Sequence, residues 1–274
     1  MTFAEKLAEA VRRNESLVCV GLDPDPDLMA VRDVVAFNRA IIEATADLVC
    51  AYKPNYAFYE ALGTPGIVAL EKTRALIPAH LPVILDAKRG DIGNTSLFSA
   101  RAAFDTWSFD ALTVNPYLGR DALDPFLGYR DRGVLVLCHT SNPGSRDFQD
   151  LQVTGADGVS RPLYEVVALA AREWNAYGNV GLVVGATYPA QLARLRALCP
   201  EMTFLVPGVG AQGGELEAVV RHGLNVQGAG LILNSSRQVL YASRSSHDFA
   251  EAARAAALRL RDAINALRPT PSSR

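Results

Sequence analysis

Short apolar runs rich in β-branched residues recur along the chain, and segments of helical period separate them. The runs are SLVCVGL (16–22), DLVCAYKP (47–54), LPVILDAK (81–88), DALTVNP (110–116), GVLVLCHT (133–140), VGLVVGAT (180–187), TFLVPGVG (203–210) and GLILNSS (230–236). Their hydrophobicity is nearly continuous rather than alternating, which is the pattern of strands covered on both faces in a parallel sheet. Helical period appears in VRDVVAFNRAIIEATA (31–46), GIVALEKTRALIPAH (66–80), RPLYEVVALAAREWNAYG (161–178), YPAQLARLRALC (188–199) and SHDFAEAARAAALRLRDAINAL (246–267). Ser246 or Asp248 is placed to cap the last of these.

Strands that alternate with helices build βαβ units. Eight strands in one chain of this length predict an α/β fold, a single (β/α)8 TIM barrel spanning 1–274. The amphipathic segment 2–13 is an extra N-terminal helix, and 268–274 is a frayed tail. A doubly wound open sheet is the alternative, and the strand count weighs against it. The stretch SNPGSRDFQDLQVTGADGVS (141–160) reads as a long irregular loop, of the kind that is functional or mobile.

Composition narrows the function. The 274 residues are 49% hydrophobic and 20% charged, with a formal net charge of -2 and no Lys/Arg-dense run. A nucleic-acid footprint is therefore not expected, and an anionic ligand needs a local site. Cys19, Cys50 and Cys138 lie inside apolar runs and Cys199 stands alone. Cys19, Cys50 and Cys138 read as small core hydrophobes, and the four cysteines fit a reducing cytoplasm. No signal-peptide core and no membrane-length apolar run is present.

In such a barrel the chemistry gathers where the strands end at their C-termini. The runs end in Asp23, then Lys53 with Asn55, then Asp86, Lys88 and Asp91, then Asn115, then Thr140, Ser141 and Asn142, and finally Asn234 to Arg237. Polar strand ends are ordinary, but charges converging on one mouth are costly to desolvate unless they pair for a purpose. The two-residue period of a strand puts Asp86 and Lys88 on one face and Arg89 on the other, toward the helices, as an ion-pair partner. PGVGAQGG (207–214) adds four glycines after the seventh run, and NSSR (234–237) adds an arginine after the eighth. Glycine lets backbone N–H groups approach an anion, and Arg237 offers a bidentate grip, so a phosphate site is favoured over a plain turn. The four histidines are scattered and no metal or dinucleotide motif appears. This pattern points to lysine and carboxylate chemistry on a phosphorylated small molecule.

DAKRGDIGNT (86–95) resembles the Asp-x-Lys-x-x-Asp signature of the orotidine 5′-phosphate decarboxylase family, in its longer bacterial branch. GLDPDP with Asp23, YKPN with Lys53, SNPGS with Ser141, PGVGAQGG with Gln212 and NSSR with Arg237 follow in the same order. The resemblance implies decarboxylation of orotidine 5′-phosphate to uridine 5′-phosphate, without cofactor or metal. It implies that Lys53, Asp86, Lys88 and Asp91 surround C6 of the pyrimidine. Ser141 would contact the ring, and Gln212 would bridge ring and phosphate. Arg237, with backbone N–H groups near Gly210 and Ser236, would hold the phosphate, and Asp23 and Thr95 the ribose. Asp91, Ile92 and Thr95 would reach into the partner's site of a homodimer. The run after Gly214 is short and passes straight into a helix, a departure from other branches of the family, so the resemblance assigns no closing contacts to a lid.

Two other readings remain open. Barrel relatives use the same Asp-x-Lys-x-x-Asp frame in metal-dependent lyases or isomerases acting on sugar phosphates. A non-catalytic phosphate-ligand sensor is the third reading, though a sensor has no need of four clustered charges.

Overall fold

The computed structural model describes residues 1–210 and 214–269. Ten strands follow one another: β1 (Val18–Gly21), β2 (Ala51–Lys53), β3 (Ile84–Arg89), β4 (Ala111–Val114), β5 (Gly133–His139), β6 (Gln152–Thr154), β7 (Ser160–Pro162), β8 (Val180–Val184), β9 (Phe204–Pro207) and β10 (Leu231–Ser235). Eight of them make a parallel sheet in the order β2-β1-β10-β9-β8-β5-β4-β3. Parallel bridges Tyr52–Val83 and Asn55–Asp86 join its two edges. Tyr52 N donates to Pro82 O at 3.0 Å and Asp86 N to Pro54 O at 3.0 Å across that seam. The sheet is thus a closed barrel and not an open doubly wound one. All eight predicted strands are present, each shorter than its apolar run.

Alternation along each strand divides the apolar residues between two cores. Cys19, Ile84, Ala111, Leu135, Val183, Leu205 and Ile232 fill the barrel interior. Their neighbours, such as Val18, Val20, Leu85, Leu112 and Val134, face the helices in the larger outer core. All four cysteines are free and buried, as expected of Cys19, Cys50 and Cys138. Burial pushes the Cys50 thiol up to about 12, which keeps it protonated and inert.

The N-terminal helix, Phe3–Asn14, closes the bottom of the barrel. Thr2 and Glu5 form a capping box at its start. Phe3 and Leu7 join the interior core, and Lys6 Nζ lies 2.7 Å from Asp110 Oδ1. Gly133 permits this plug, because a Cβ there would lie 2.5 Å from the Phe3 ring.

The outer helices include Val34–Thr45, Thr64–Leu76, Leu163–Trp174, Pro189–Leu198 and Phe249–Leu267. Asp248 stands at the N-cap of the last, but its side chain accepts a 2.5 Å hydrogen bond from Ser243 instead of capping the helix, and Ser246 lies outside the cap. No helix among the described residues is long and apolar enough to cross a membrane.

Two segments depart from the sequence reading. The stretch 141–160 is not irregular: a 3-10 turn (Pro143–Asp147) leads into the antiparallel hairpin β6–β7. The turn signal is the Asp-Gly pair at 157–158, where Gly158 adopts φ 74° and the Asp157 carboxylate accepts from Val159 N at 3.0 Å. A helix Gly93–Arg101, running into a π-turn Ala102–Thr106, was not apparent from the sequence. Its start has no side-chain cap and its composition is mixed, so no boundary signal announces it.

Candidate active site

The seam that closes the barrel also assembles its charges. Lys53 ends β2 and is only 3% exposed. Its Nζ lies 2.8 Å from Asp86 Oδ2, and Lys88 Nζ lies 2.7 Å from Asp86 Oδ1. Thr113 of β4 donates its hydroxyl to Asp86 Oδ1 at 3.0 Å. Three donors on one carboxylate, two of them ammonium groups, favour its ionised form. Burial alone would raise the Asp86 pKa, but the two ammonium groups outweigh it and hold the carboxyl well below its usual range. Burial likewise opposes the charge on Lys53, yet Asp86 and then Asp23 reverse the balance and hold this lysine protonated above its usual range.

The backbone departs from regular strand geometry here. Leu85 pairs with Leu112 and Arg89 with Val114, so β3 bulges between 85 and 89. Lys88 lies in the bulge with φ 47°, a left-handed conformation uncommon outside glycine. Asp86 and Lys88 do share a face, as expected, but the bulge, not only the strand period, sets that arrangement. Among the described residues Arg89 makes no ion pair; its guanidinium lies 4.8 Å from the Tyr56 ring centroid, a cation–π contact.

The charged cluster sits between two spaces. A cleft of about 560 Å³ is lined by Asp23, Lys53, Asp86, Gly208, Val209, Ser236 and Arg237, among others. A second space of about 220 Å³ carries Lys53, Asp86, Lys88, Thr140, Ser141 and Asn142. Lys53, Asp86 and Pro207 belong to both. Asp23, Lys53, Asp86, Lys88, Ser141, Ser236 and Arg237 are thereby brought to one mouth. Gly208 bends the chain after β9 with φ 86°. Gly210 abuts the Gln238 amide, where a Cβ would approach to 2.6 Å. Gln212 lies outside the described residues.

Asp91, Ile92 and Thr95 stand apart from this mouth. Asp91 Oδ1 accepts from Ile92 N at 2.7 Å. Thr95 lines a different cavity with Arg89, Phe98 and Trp107. Ile92 is 66% exposed and Phe98 59%, while Tyr117, after β4, is 78% exposed.

Several supporting residues escaped the sequence reading. Thr113 is one. Tyr241 is another: its hydroxyl donates to Asp23 O at 2.7 Å and accepts from Asp25 N at 2.8 Å. Asn55 N donates to Asp23 Oδ1 at 3.1 Å. His139 Nε2 lies 3.0 Å from Asp150 Oδ1, and its ring meets Tyr164 and Tyr188 edge-on. Thr140 N donates to Gln149 Oε1 at 2.8 Å. Together these contacts tie the 141–160 segment to the end of β5. A backbone-directed tyrosine or a strand threonine has no sequence signature, because such residues are common in any core.

A closed parallel barrel with paired lysines and a carboxylate at its C-terminal mouth, opening toward a glycine- and arginine-bearing cleft, has the architecture of a (β/α)8-barrel enzyme. The sequence matches the orotidine 5′-phosphate decarboxylase / HUMPS family over residues 16–255, and the chain belongs to that family. An orotidine 5′-phosphate decarboxylase of Thermomicrobium roseum is 57% identical, the alignment covering 98% of this chain and 96% of that protein. One of Cellvibrio japonicus is 54% identical over 98% of this chain and all of that protein. The structure of Leishmania donovani OMP decarboxylase superposes with a TM-score of 0.86 at 45% identity, covering 97% of this chain and 98% of that one.

Proposed function

We propose that this chain, a carboxy-lyase of the family, decarboxylates orotidine 5′-phosphate to uridine 5′-phosphate in pyrimidine nucleotide synthesis, with Lys88 as the proton donor. The observation that carries the mechanism is the Asp86 carboxylate held between Lys53 and Lys88. When the C6–carboxylate bond breaks, its electron pair stays on C6, where the ring has no conjugated sink. A fixed ammonium beside C6 stabilises that pair as it forms and then transfers its proton to C6, while CO₂ departs. Asp86, kept anionic by Lys53, stands next to Lys88 and against the substrate carboxylate, so loss of CO₂ relieves a like-charge contact.

Ser236, Arg237 and the backbone after β9 would hold the phosphate. That group lies away from the reacting bond, so its binding energy can drive closure and exclude water. Asp23 would take the ribose, Ser141 the pyrimidine, and Gln212 both ring and phosphate. No cofactor or metal enters this scheme.

The active form is a homodimer in this reading, with Asp91, Ile92 and Thr95 serving the partner's site. Their separation from the chain's own mouth supports it, as do the exposed apolar Ile92, Phe98 and Tyr117. A cytoplasmic location suits the buried free thiols.

The test is Lys88→Ala. Turnover should vanish while uridine 5′-phosphate still binds within a few-fold of the unaltered protein. Near-normal turnover would remove Lys88 from its role. Activity that disappears with EDTA would favour the metal-dependent sugar-phosphate reading instead.

A further inference from the structure

Thr113 does not enter the chemistry just described, yet its hydroxyl bonds to Asp86 and Lys88, which do, and to Ala87 between them. It accepts from Ala87 N and from Lys88 N, both at 3.0 Å, and donates to Asp86 Oδ1 at 3.0 Å. A hydroxyl has one proton and two lone pairs, so this set is complete. The side chain is 1% exposed, and water does not compete for it. Thr113 sits on β4 between Leu112 and Val114, the two residues whose partners bracket the β3 bulge. The bulge removes Ala87 and Lys88 from the regular ladder, and the threonine supplies the acceptor that their N–H groups would otherwise lack.

We infer that Thr113 is a positioning residue that holds Lys88 in its left-handed conformation and orients the Asp86 carboxylate toward the Lys88 ammonium. Lys88 at φ 47° has no glycine to make that conformation easy. A sparsely populated backbone state persists only where its surroundings over-determine it. Here one buried oxygen fixes the peptide on the N-terminal side of Lys88 and the carboxylate that its side chain grips. The ammonium is therefore constrained from both ends: by its own backbone through Ala87 and Lys88 N–H, and by its ion-pair partner through Asp86. The inference rests on Lys88 acting as the proton donor.

The experiment compares Thr113→Val, which keeps the shape and removes the hydroxyl, with Thr113→Ser, which keeps the hydroxyl. The valine variant should lose kcat by roughly 10- to 100-fold, the scale of a misplaced catalytic group. Its KM and its affinity for uridine 5′-phosphate should stay within about threefold, because the phosphate grip lies elsewhere. The acid limb of kcat/KM should move to higher pH, since a carboxylate that loses a donor becomes easier to protonate. The serine variant should recover kcat to within a few-fold of the unaltered protein. A folded valine variant with unchanged kcat, or with kcat and KM altered alike and the acid limb unmoved, overturns the inference. If valine prevents folding, Thr113→Cys replaces it. Its sulfur is a weak donor and acceptor, so cysteine should be at least roughly tenfold slower than serine; equal rates overturn the inference. Lys88→Ala, assayed alongside, separates the two claims. An active Lys88→Ala sinks the proton-donor role, whereas an inactive one beside a fully active Thr113→Val sinks only the positioning role.

Discussion

Lys53 and Asp86 meet across the seam that closes the barrel, Nζ to Oδ2 at 2.8 Å, beside the bridge in which Asp86 N donates to Pro54 O. One ion pair therefore joins the two edge strands of the sheet and poises the charge at the mouth. Fold and site depend on it together.

Asp86→Asn should accordingly cost stability as well as activity. It leaves the buried Lys53 ammonium without its principal partner, which costs about 3–5 kcal/mol. Lys53→Met should cost less, because Lys88 and Thr113 still satisfy Asp86. Urea denaturation of the two variants gives the order, and a reversed order would refute it. The pH dependence has a definite sign. The Asp86 carboxyl is held below its ordinary range, so its stabilisation is complete above the unfolded value of about 3.9 and fades as pH falls toward the folded one. Lys53 is held above its ordinary range, so its stabilisation is complete below about 10.4 and fades only as pH rises through the folded value. Between roughly pH 5 and pH 9 the pair's contribution is flat. Going from pH 5 to pH 3, the unaltered protein should lose more stability than Asp86→Asn, which has no carboxylate left to protonate. Thermal unfolding at pH 5, 4 and 3 measures the difference.

Mixing two inactive variants tests the placement of Asp91. If Asp91 serves the partner, a heterodimer of Lys88→Ala with Asp91→Ala contains one site with both residues intact and one with neither. Random reassortment of equal amounts makes about half the dimers mixed, each with one working site, so about a quarter of full activity should return. If Asp91 serves its own chain, no mixed dimer contains an intact site and nothing returns. The assay is orotidine 5′-phosphate turnover after co-refolding.

The eight strands were legible because parallel barrel strands are apolar on both sides, and the charged ends stood out against that background. Lys53, Asp86 and Lys88 were found together for this reason. Period-two reasoning placed Lys88 beside Asp86 although β3 bulges between 85 and 89, and it misread Arg89, which stacks on Tyr56 instead of pairing with an acid. A bulge depends on register with the neighbouring strand, and one strand's sequence does not contain that register. Thr113 was invisible for the same reason, since its value comes from facing the bulge. The order in 141–160 was partly visible in its Asp-Gly turn. Its anchors, Asp150 on His139 and Gln149 on Thr140, depend on tertiary contacts.

Arg237→Ala should raise KM for orotidine 5′-phosphate by roughly 10- to 100-fold, the value of a charge-assisted hydrogen bond of about 1.5–3 kcal/mol. Arg237→Lys should restore part of it, because an ammonium keeps the charge but loses the bidentate fork. Inorganic phosphate should raise the melting temperature of the unaltered protein and have much less effect on Arg237→Ala. An unchanged KM in the alanine variant would remove Arg237 from the phosphate site.

Arg196 gives the matching prediction for the opposite end of the barrel. It is buried without a carboxylate partner among the described residues, and it donates to five backbone carbonyls instead. These are Gly223 O at 2.8 Å, Cys199 O at 3.1 Å, Pro200 O at 3.2 Å, Met202 O at 2.7 Å and Gly230 O at 2.9 Å. The guanidinium also lies 3.8 Å from the Phe204 ring centroid. Burial lowers its pKa to about 10, so it remains charged at neutral pH. A planar group with N–H donors on three nitrogens serves these carbonyls at once, Nη1 alone reaching Cys199 O, Pro200 O and Met202 O. Arg196→Lys keeps the charge but has three donors on a flexible stem, so it should destabilise nearly as much as Arg196→Met, each by about 2–4 kcal/mol. The active site of such a barrel lies at the opposite, C-terminal face and its bottom face serves stability, so kcat and KM of both variants, measured well below their melting temperatures, should stay near normal. A lysine variant as stable as the unaltered protein would show that charge alone, and not the shape of the guanidinium, holds these carbonyls.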